Sequence, residues 1–174
     1  MTLPLAAVLF DETPPDALLS AFARRLAAEG RQVRGLIQRR EAGTGPCHCA
    51  EMDLLSLAGP EIFPVSQPLG PGAHGCRLDL GALAGAAQFL LSELARAPDL
   101  LILNRFGKAE GEGRGFRDVI AEAMAREVPV LTAVRGRHVA DWATYTEGFG
   151  LCLAPDPAAL ARWFSELTEV SHAA

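Results

Sequence analysis

The chain has 174 residues, 49% of them apolar and 21% charged, with a formal net charge of -5 at pH 7. That length allows one substantial core and is short for two ordinary domains, so a single domain over residues 1–174 is expected. The acidic balance argues against nucleic acid as a partner, since that needs a clustered positive surface; any positive site must be local.

The first ten residues lack a positive start and run into Asp11-Glu12 too early for a secretory leader, and no apolar run approaches the length of a membrane span. A cytoplasmic protein with no membrane span is expected, with Cys47, Cys49, Cys76 and Cys152 as free thiols or ligands rather than disulfides. Leu5 to Phe10 reads as a buried first strand. Thr13-Pro14-Pro15-Asp16 reads as a helix start, Thr13 capping and Pro14 at the first helical position, and Leu18, Phe22 and Leu26 recur on one face until Gly30. Val33 to Gln38 is a second strand.

From Arg39 to Gly75 the helical period is lost. Two short runs, Met52 to Leu57 and Glu61 to Ser66, predict a β-hairpin or small antiparallel excursion attached to the main sheet around residues 39–75. Asp79 then caps an amphipathic helix whose stripe is Leu80, Leu83, Ala84, Ala87, Leu90, Leu91 and Leu94. Strand Leu100 to Leu103, helix Phe116 to Arg126, strand Pro129 to Val134, a short helix over Val139 to Tyr145, strand Leu151 to Ala154 and a helix after Asp156-Pro157 complete the order. Strands alternating with helices predict an α/β three-layer sandwich with a mostly parallel sheet covered on both faces.

In such a sheet the ligand edge lies beyond the C-terminal strand ends. After Leu100 to Leu103 comes Asn104-Arg105-Phe106-Gly107-Lys108, and then Gly113-Arg114-Gly115-Phe116-Arg117, a glycine-rich cationic loop entering a helix. Asn104, Arg105, Gly107, Lys108, Gly113, Arg114, Arg117 and, from the next strand, Arg135 are therefore the candidate residues for holding an oxyanion or phosphate, with Gly111 and Gly115 also easing close approach. Arg137, His138 and the Thr132 hydroxyl would enlarge that pocket, and the structural alternative for these arginines is a surface turn. Asp11, Glu12, Glu110 and Glu112 offer the opposite reading, in which the cations are neutralised internally. Trp142, Tyr145 and Phe149 read as core before they read as a wall for a ring ligand. Cys47-His48-Cys49 and His74-Gly75-Cys76 make a weak metal candidate, Cys47, Cys49, His74 and Cys76 being the ligands; Cys152 reads as core. No serine lies in a nucleophile turn, so no catalytic residue is assigned.

The order of elements, with Val33-Arg34-Gly35-Leu36-Ile37-Gln38 and a strand in the Walker B place, resembles P-loop nucleoside triphosphatases of the small nucleoside-triphosphatase and molybdopterin-guanine-dinucleotide accessory type. Gly75-Cys76-Arg77-Leu78-Asp79, Leu101 to Lys108 and Gly113 to Arg117 resemble an uncharacterised bacterial family of that build, often encoded near molybdate transport genes. The resemblance implies a P-loop NTPase-like fold and a link to molybdenum metabolism. Against it, the phosphate-loop position holds Asp11-Glu12-Thr13-Pro14-Pro15-Asp16, and Asn104 stands where a magnesium-binding acid belongs, so no magnesium-nucleotide site of ordinary type is expected. The expected function is a non-hydrolysing, P-loop-derived binding protein for a nucleotide, molybdate or pterin-type ligand. Its rivals are a divergent nucleoside triphosphatase or phosphotransferase using Lys108 with Asp11 or Glu12, and an interaction module whose basic loop docks an acidic protein partner.

Overall fold

The computed structural model describes residues 4–41, 51–66 and 78–172. Strands β1 (Leu5–Phe10), β2 (Val33–Glu41), β3 (Glu51–Ser56), β4 (Ile62–Pro64), β5 (Leu100–Ile102), β6 (Val130–Arg135) and β7 (Leu151–Leu153) form one sheet in the order β4-β3-β2-β5-β6-β1-β7. The five strands from β2 to β7 in that order are parallel, whereas β3 and β4 add on antiparallel. The helices are α1 (Asp16–Ala28), α2 (Leu80–Leu94), α3 (Lys108–Gly111), α4 (Arg117–Ala125), α5 (Val139–Tyr145) and α6 (Pro157–His172).

Alternation along the strands sorts the core into two layers, because successive side chains leave a strand on opposite faces. Leu5, Leu101, Leu103, Val130 and Val134 meet α2, α4 and Trp142 of α5 on one face. Ala6, Val8, Phe10, Ile102 and Leu131 meet Leu19, Phe22 and Leu26 of α1 and Leu160, Trp163 and Phe164 of α6 on the other. In β6, Val130 to Val134 are buried without interruption, as a strand covered on both faces requires. Gly35 of β2 has φ +144°, and a Cβ there would fall 1.9 Å from the Ile102 carbonyl oxygen, so only glycine lets β2 close on β5.

Several local expectations are corrected. Helix α1 starts at Asp16 rather than at Thr13: Pro15 disfavours the helical conformation at Pro14, and the first helical bond runs from Leu19 N–H to the Pro15 carbonyl at 2.9 Å. The expected antiparallel excursion is present and adds directly to the main sheet: β2 extends to Glu41 and pairs with β3, Leu36 opposite Ser56, and β3 pairs with β4; residues 42–50 and 67–75 of the expected span lie outside the described residues. Asp79 does cap α2, accepting from Gly81 N–H at 2.8 Å and Ala82 N–H at 3.1 Å. The buried stripe of α2 is however Leu83, Ala86, Leu90, Glu93 and Leu94, while Leu80 and Ala84 are exposed. Glu93 is tolerated there because Arg34 of β2 meets it at 3.0 Å and Arg96 at 3.3 Å.

Candidate functional site

The C-terminal ends of β1, β5 and β6 carry the residues of interest. At the first turn of α1, Arg105 Nη2 donates to Asp16 Oδ2 at 2.8 Å, each side chain about one-fifth exposed (21% and 19%), and the guanidinium lies 5.6 Å from the Phe10 ring centroid. Asp16 is the first residue of α1, where the partial positive charge of the helix end favours a carboxylate. An acid and a base of the chain itself therefore sit where a phosphate would approach this helix. Asp11 and Glu12, expected in that role, are exposed, and Asp11 Oδ1 instead crowds Gly136, where a Cβ would come within 2.4 Å.

Beside this pair, Asn104 and Gln38 close a hydrogen-bonded ring. The Gln38 backbone N–H donates to Asn104 Oδ1 at 3.1 Å, and Asn104 Nδ2 donates to Gln38 Oε1 at 3.2 Å. Asn104 thus extends the β2–β5 seam with its side chain after the backbone pairing ends at Gly35 and Ile102, and its amide is taken up by Gln38. Gln38 is 6% exposed and its Nε2 has no hydrogen-bond partner; Asp16 Oδ1 is a second buried atom without one.

The glycine-rich loop contains a helical turn, α3, that the sequence reading missed. Glu110, expected as an ionic partner of the loop cations, is 5% exposed and does something else. Its Oε2 accepts from Gly107 N–H at 2.9 Å and its Oε1 from Phe116 N–H at 3.0 Å, so one carboxylate clamps both ends of the loop. Burial pushes the Glu110 carboxyl above the usual range, and the two backbone donors pull partly back. Gly115 at φ +67° is required beside it, since a Cβ would fall 2.1 Å from Oε1.

The structure distributes the predicted cations over three sets of contacts. Lys108 and Arg114 both reach Glu112, the former at 3.6 Å, and the Arg114 hydrogen bond holds the Glu112 carboxyl below its usual range. Together with Asp79, Leu80 and Ala109 they line a cavity of about 440 Å³ beside the start of α2. Arg105 belongs to the α1 side. Arg117 lies 4.5 Å from the Tyr145 ring centroid and donates to the Glu110 carbonyl at 3.3 Å, while Tyr145 Oη donates back to the Arg117 carbonyl at 2.9 Å. Burial also pushes the Tyr145 phenol up. Arg135 is exposed at the end of β6; Arg137 Nε donates to His138 Nε2 at 3.1 Å, and His138 Nδ1 faces Asp141 at 3.2 Å. Gly107 is extended, and Gly113, with φ +85°, faces open space.

Thr132 does not reach this edge: it is fully buried three residues before Arg135, in register with Ala7. Trp142 and Tyr145 pack on Phe106 at 5.2 and 5.4 Å between centroids, as core, whereas Phe149 is exposed. Cys152 was expected in the core and is exposed, because β7 pairs with β1 alone and forms the sheet edge; partial burial nevertheless pushes its thiol up. Cys47, Cys49, His74 and Cys76 lie outside the described residues, among which no group of three or more His, Cys, Asp or Glu side chains is placed to hold a metal ion. No helix among the described residues is long and apolar enough to cross a membrane. Gln38 and Asp16 escaped the sequence reading: Asp16 looked like helix punctuation, and Gln38 was hidden inside an apolar strand.

Comparison with known proteins agrees with this geometry at the level of fold. The solution structure of a human cancer-related nucleoside triphosphatase superposes with a TM-score of 0.64 at 14% identity, covering 98% of this chain and 97% of that one. The fold is P-loop NTPase-like. The molybdenum import ATP-binding protein ModC 2 of Bradyrhizobium diazoefficiens is 35% identical over 163 residues, 93% of this chain; those residues are 18% of that protein, so the chain spans about a fifth of the relative it matches. Residues 5–163 match the family described as protein of unknown function DUF2478, and the chain belongs to that family, one related to P-loop nucleoside triphosphatases.

Proposed function

We propose that the chain is a non-hydrolysing, P-loop-derived binding domain for an oxyanion or phosphate-bearing ligand, a nucleotide, molybdate or a pterin-linked phosphate, in an accessory role in molybdenum metabolism. The observation that carries the non-hydrolysing part is the Arg105–Asp16 pair at the start of α1: a hydrolytic site needs that helix end open to phosphate, preceded by free backbone N–H groups and a lysine. The chain has Pro14 and Pro15 there instead. The molybdenum part is supported by the likeness to a protein named for molybdenum import.

For the anion, the Lys108–Arg114 cavity is the better seat. Glu112 already occupies both cations there, as a carboxylate in the place an oxyanion would take, and Gly113 leaves the backbone open. In this reading Asn104, Arg105 and Arg117 are positioning residues held by Gln38, Asp16 and Tyr145, Gly107 turns the loop, and Arg135 adds long-range attraction.

The test pairs turnover with binding. Phosphate release from ATP and GTP with magnesium is expected at the level of the buffer blank. Calorimetric titration with molybdate, phosphate and GTP is expected to saturate, to weaken at least tenfold in Lys108→Ala and Arg114→Ala, and to strengthen in Glu112→Gln. Magnesium-dependent turnover lost in Asp16→Asn would overturn the proposal in favour of a phosphohydrolase. A second reading is favoured by the internal partners of Arg105, Lys108, Arg114 and Arg117: a protein-interaction module with a neutralised site. It predicts that no anion saturates, and that salt weakens the capture of an acidic protein.

A further inference from the structure

A cleft of about 420 Å³ opens between α1 and the β2–β3 pair, on the other side of the sheet edge from the Lys108–Arg114 cavity. That volume lies within the range of small-ligand sites, about 300–1,000 Å³. Ala17, Ile37, Leu55 and Leu57 give it apolar walls, Ser20 and Ser56 line it, and so do Asp16 and Gln38, each of which carries a buried polar atom without a hydrogen-bond partner.

The chemistry at Gln38 has one sign only. Its own backbone N–H fixes which end of the Asn104 amide is oxygen; Asn104 Nδ2 therefore faces the Gln38 oxygen, and the remaining valence of Gln38 is the Nε2 donor. Gln38 is 6% exposed, and an amide donor left unbonded in such a buried side chain carries an uncompensated desolvation cost that a ligand acceptor would relieve. Asp16 is equally committed: Oδ2 is held by Arg105, and Oδ1 remains as an acceptor.

We propose that this cleft binds a planar lactam ring, its carbonyl oxygen accepting from Gln38 Nε2 and its adjacent ring N–H donating to Asp16 Oδ1. A lactam edge sets a carbonyl acceptor beside an N–H donor, the complement of one unbonded donor at Gln38 and one unbonded acceptor at Asp16. Aliphatic walls receive the ring faces. Guanine, uracil and pterin rings share this edge, and the proposal is independent of the anion reading because it asks nothing of a phosphate.

The experiment uses phosphate-free probes, guanosine, uridine and pterin, added to ¹⁵N-labelled protein while the Gln38 side-chain NH₂ resonances are followed. At least one probe is expected to saturate with Kd below about 1 mM and to shift those resonances. Methylating the ring N–H, in 1-methylguanosine or 3-methyluridine, is expected to weaken binding at least tenfold, and the tightest of the three probes identifies the source of the ring. Gln38→Glu keeps an acceptor for Asn104 and puts a carboxyl oxygen in place of the Nε2 donor, facing the lactam carbonyl; it is expected to lose at least tenfold, with its thermal melt showing that it folds. The proposal is overturned if no lactam saturates, if binding leaves the Gln38 resonances unmoved, if the N-methylated rings bind as tightly, or if adenosine binds more tightly than every lactam.

Discussion

Asp16 and Arg105 are 89 positions apart in sequence and 2.8 Å apart in space, and their ion pair ties the start of α1 to the segment that follows β5. Exposed pairs contribute about 0–1 kcal/mol, and breaking buried ones costs about 3–5. At one-fifth exposure this pair lies between them. Asp16→Asn and Arg105→Ala are each expected to cost about 2 kcal/mol by urea denaturation, with the double variant less destabilised than the sum by about 1 kcal/mol. Strict additivity would mean that the pair is incidental.

Glu110 makes stability depend on pH in a direction opposite to that of most carboxylates. Its folded pKa is raised above the ordinary 4.5, so the folded state favours the neutral acid. Its contribution is therefore full below pH 4.5 and is lost as pH rises through the elevated folded value. Urea midpoints measured from pH 4 to pH 8 should show this decline in the native protein and a flatter profile in Glu110→Gln. Glu110→Ala, which strands the Gly107 and Phe116 N–H groups, is expected to cost about 2–4 kcal/mol.

Two glycines in the same loop separate backbone strain from collision. Gly113→Ala meets nothing within 4 Å at φ +85° and should cost about 1 kcal/mol, the strain of the left-handed conformation alone. Gly115→Ala must also displace the Glu110 carboxylate and should cost at least 1 kcal/mol more, a gap that thermal melts of the two variants resolve directly.

At the opposite side of the cavity, Asp79→Ala should cost about 1 kcal/mol through loss of the α2 cap, and Asp79→Asn should be nearly neutral because an amide oxygen accepts the same two N–H groups. Equilibrium denaturation distinguishes them. If both variants are equally destabilised, the charge of Asp79 rather than its cap geometry is what matters.

Periodicity made the layers legible. The alternating strands, the α2 cap and the switch from sheet to helix are local, and burial acts on them through patterns that a single stretch displays. What stayed hidden is what the chain does across itself. Nothing near Glu110 in sequence says that its carboxylate folds back onto Gly107 and Phe116 rather than out toward Lys108 and Arg114. Likewise Cys152 sits in an apolar run, yet apolar neighbours cannot reveal that their strand ends the sheet. Glu112 was named as an internal partner of the loop cations and does meet Lys108 and Arg114, but the partner of Arg105 was misassigned, because Asp16 rather than Asp11 or Glu12 meets it.

The lactam cleft has walls from residues 16–20, 37–39 and 55–57, and a latch from 104–105. No contiguous piece of the polypeptide contains it. Such long-range closure is among the slowest things a chain does, so a refolding protein would regain its helices well before it regained this recess. Recovery of the Gln38 side-chain signal would then time the return of the recess itself.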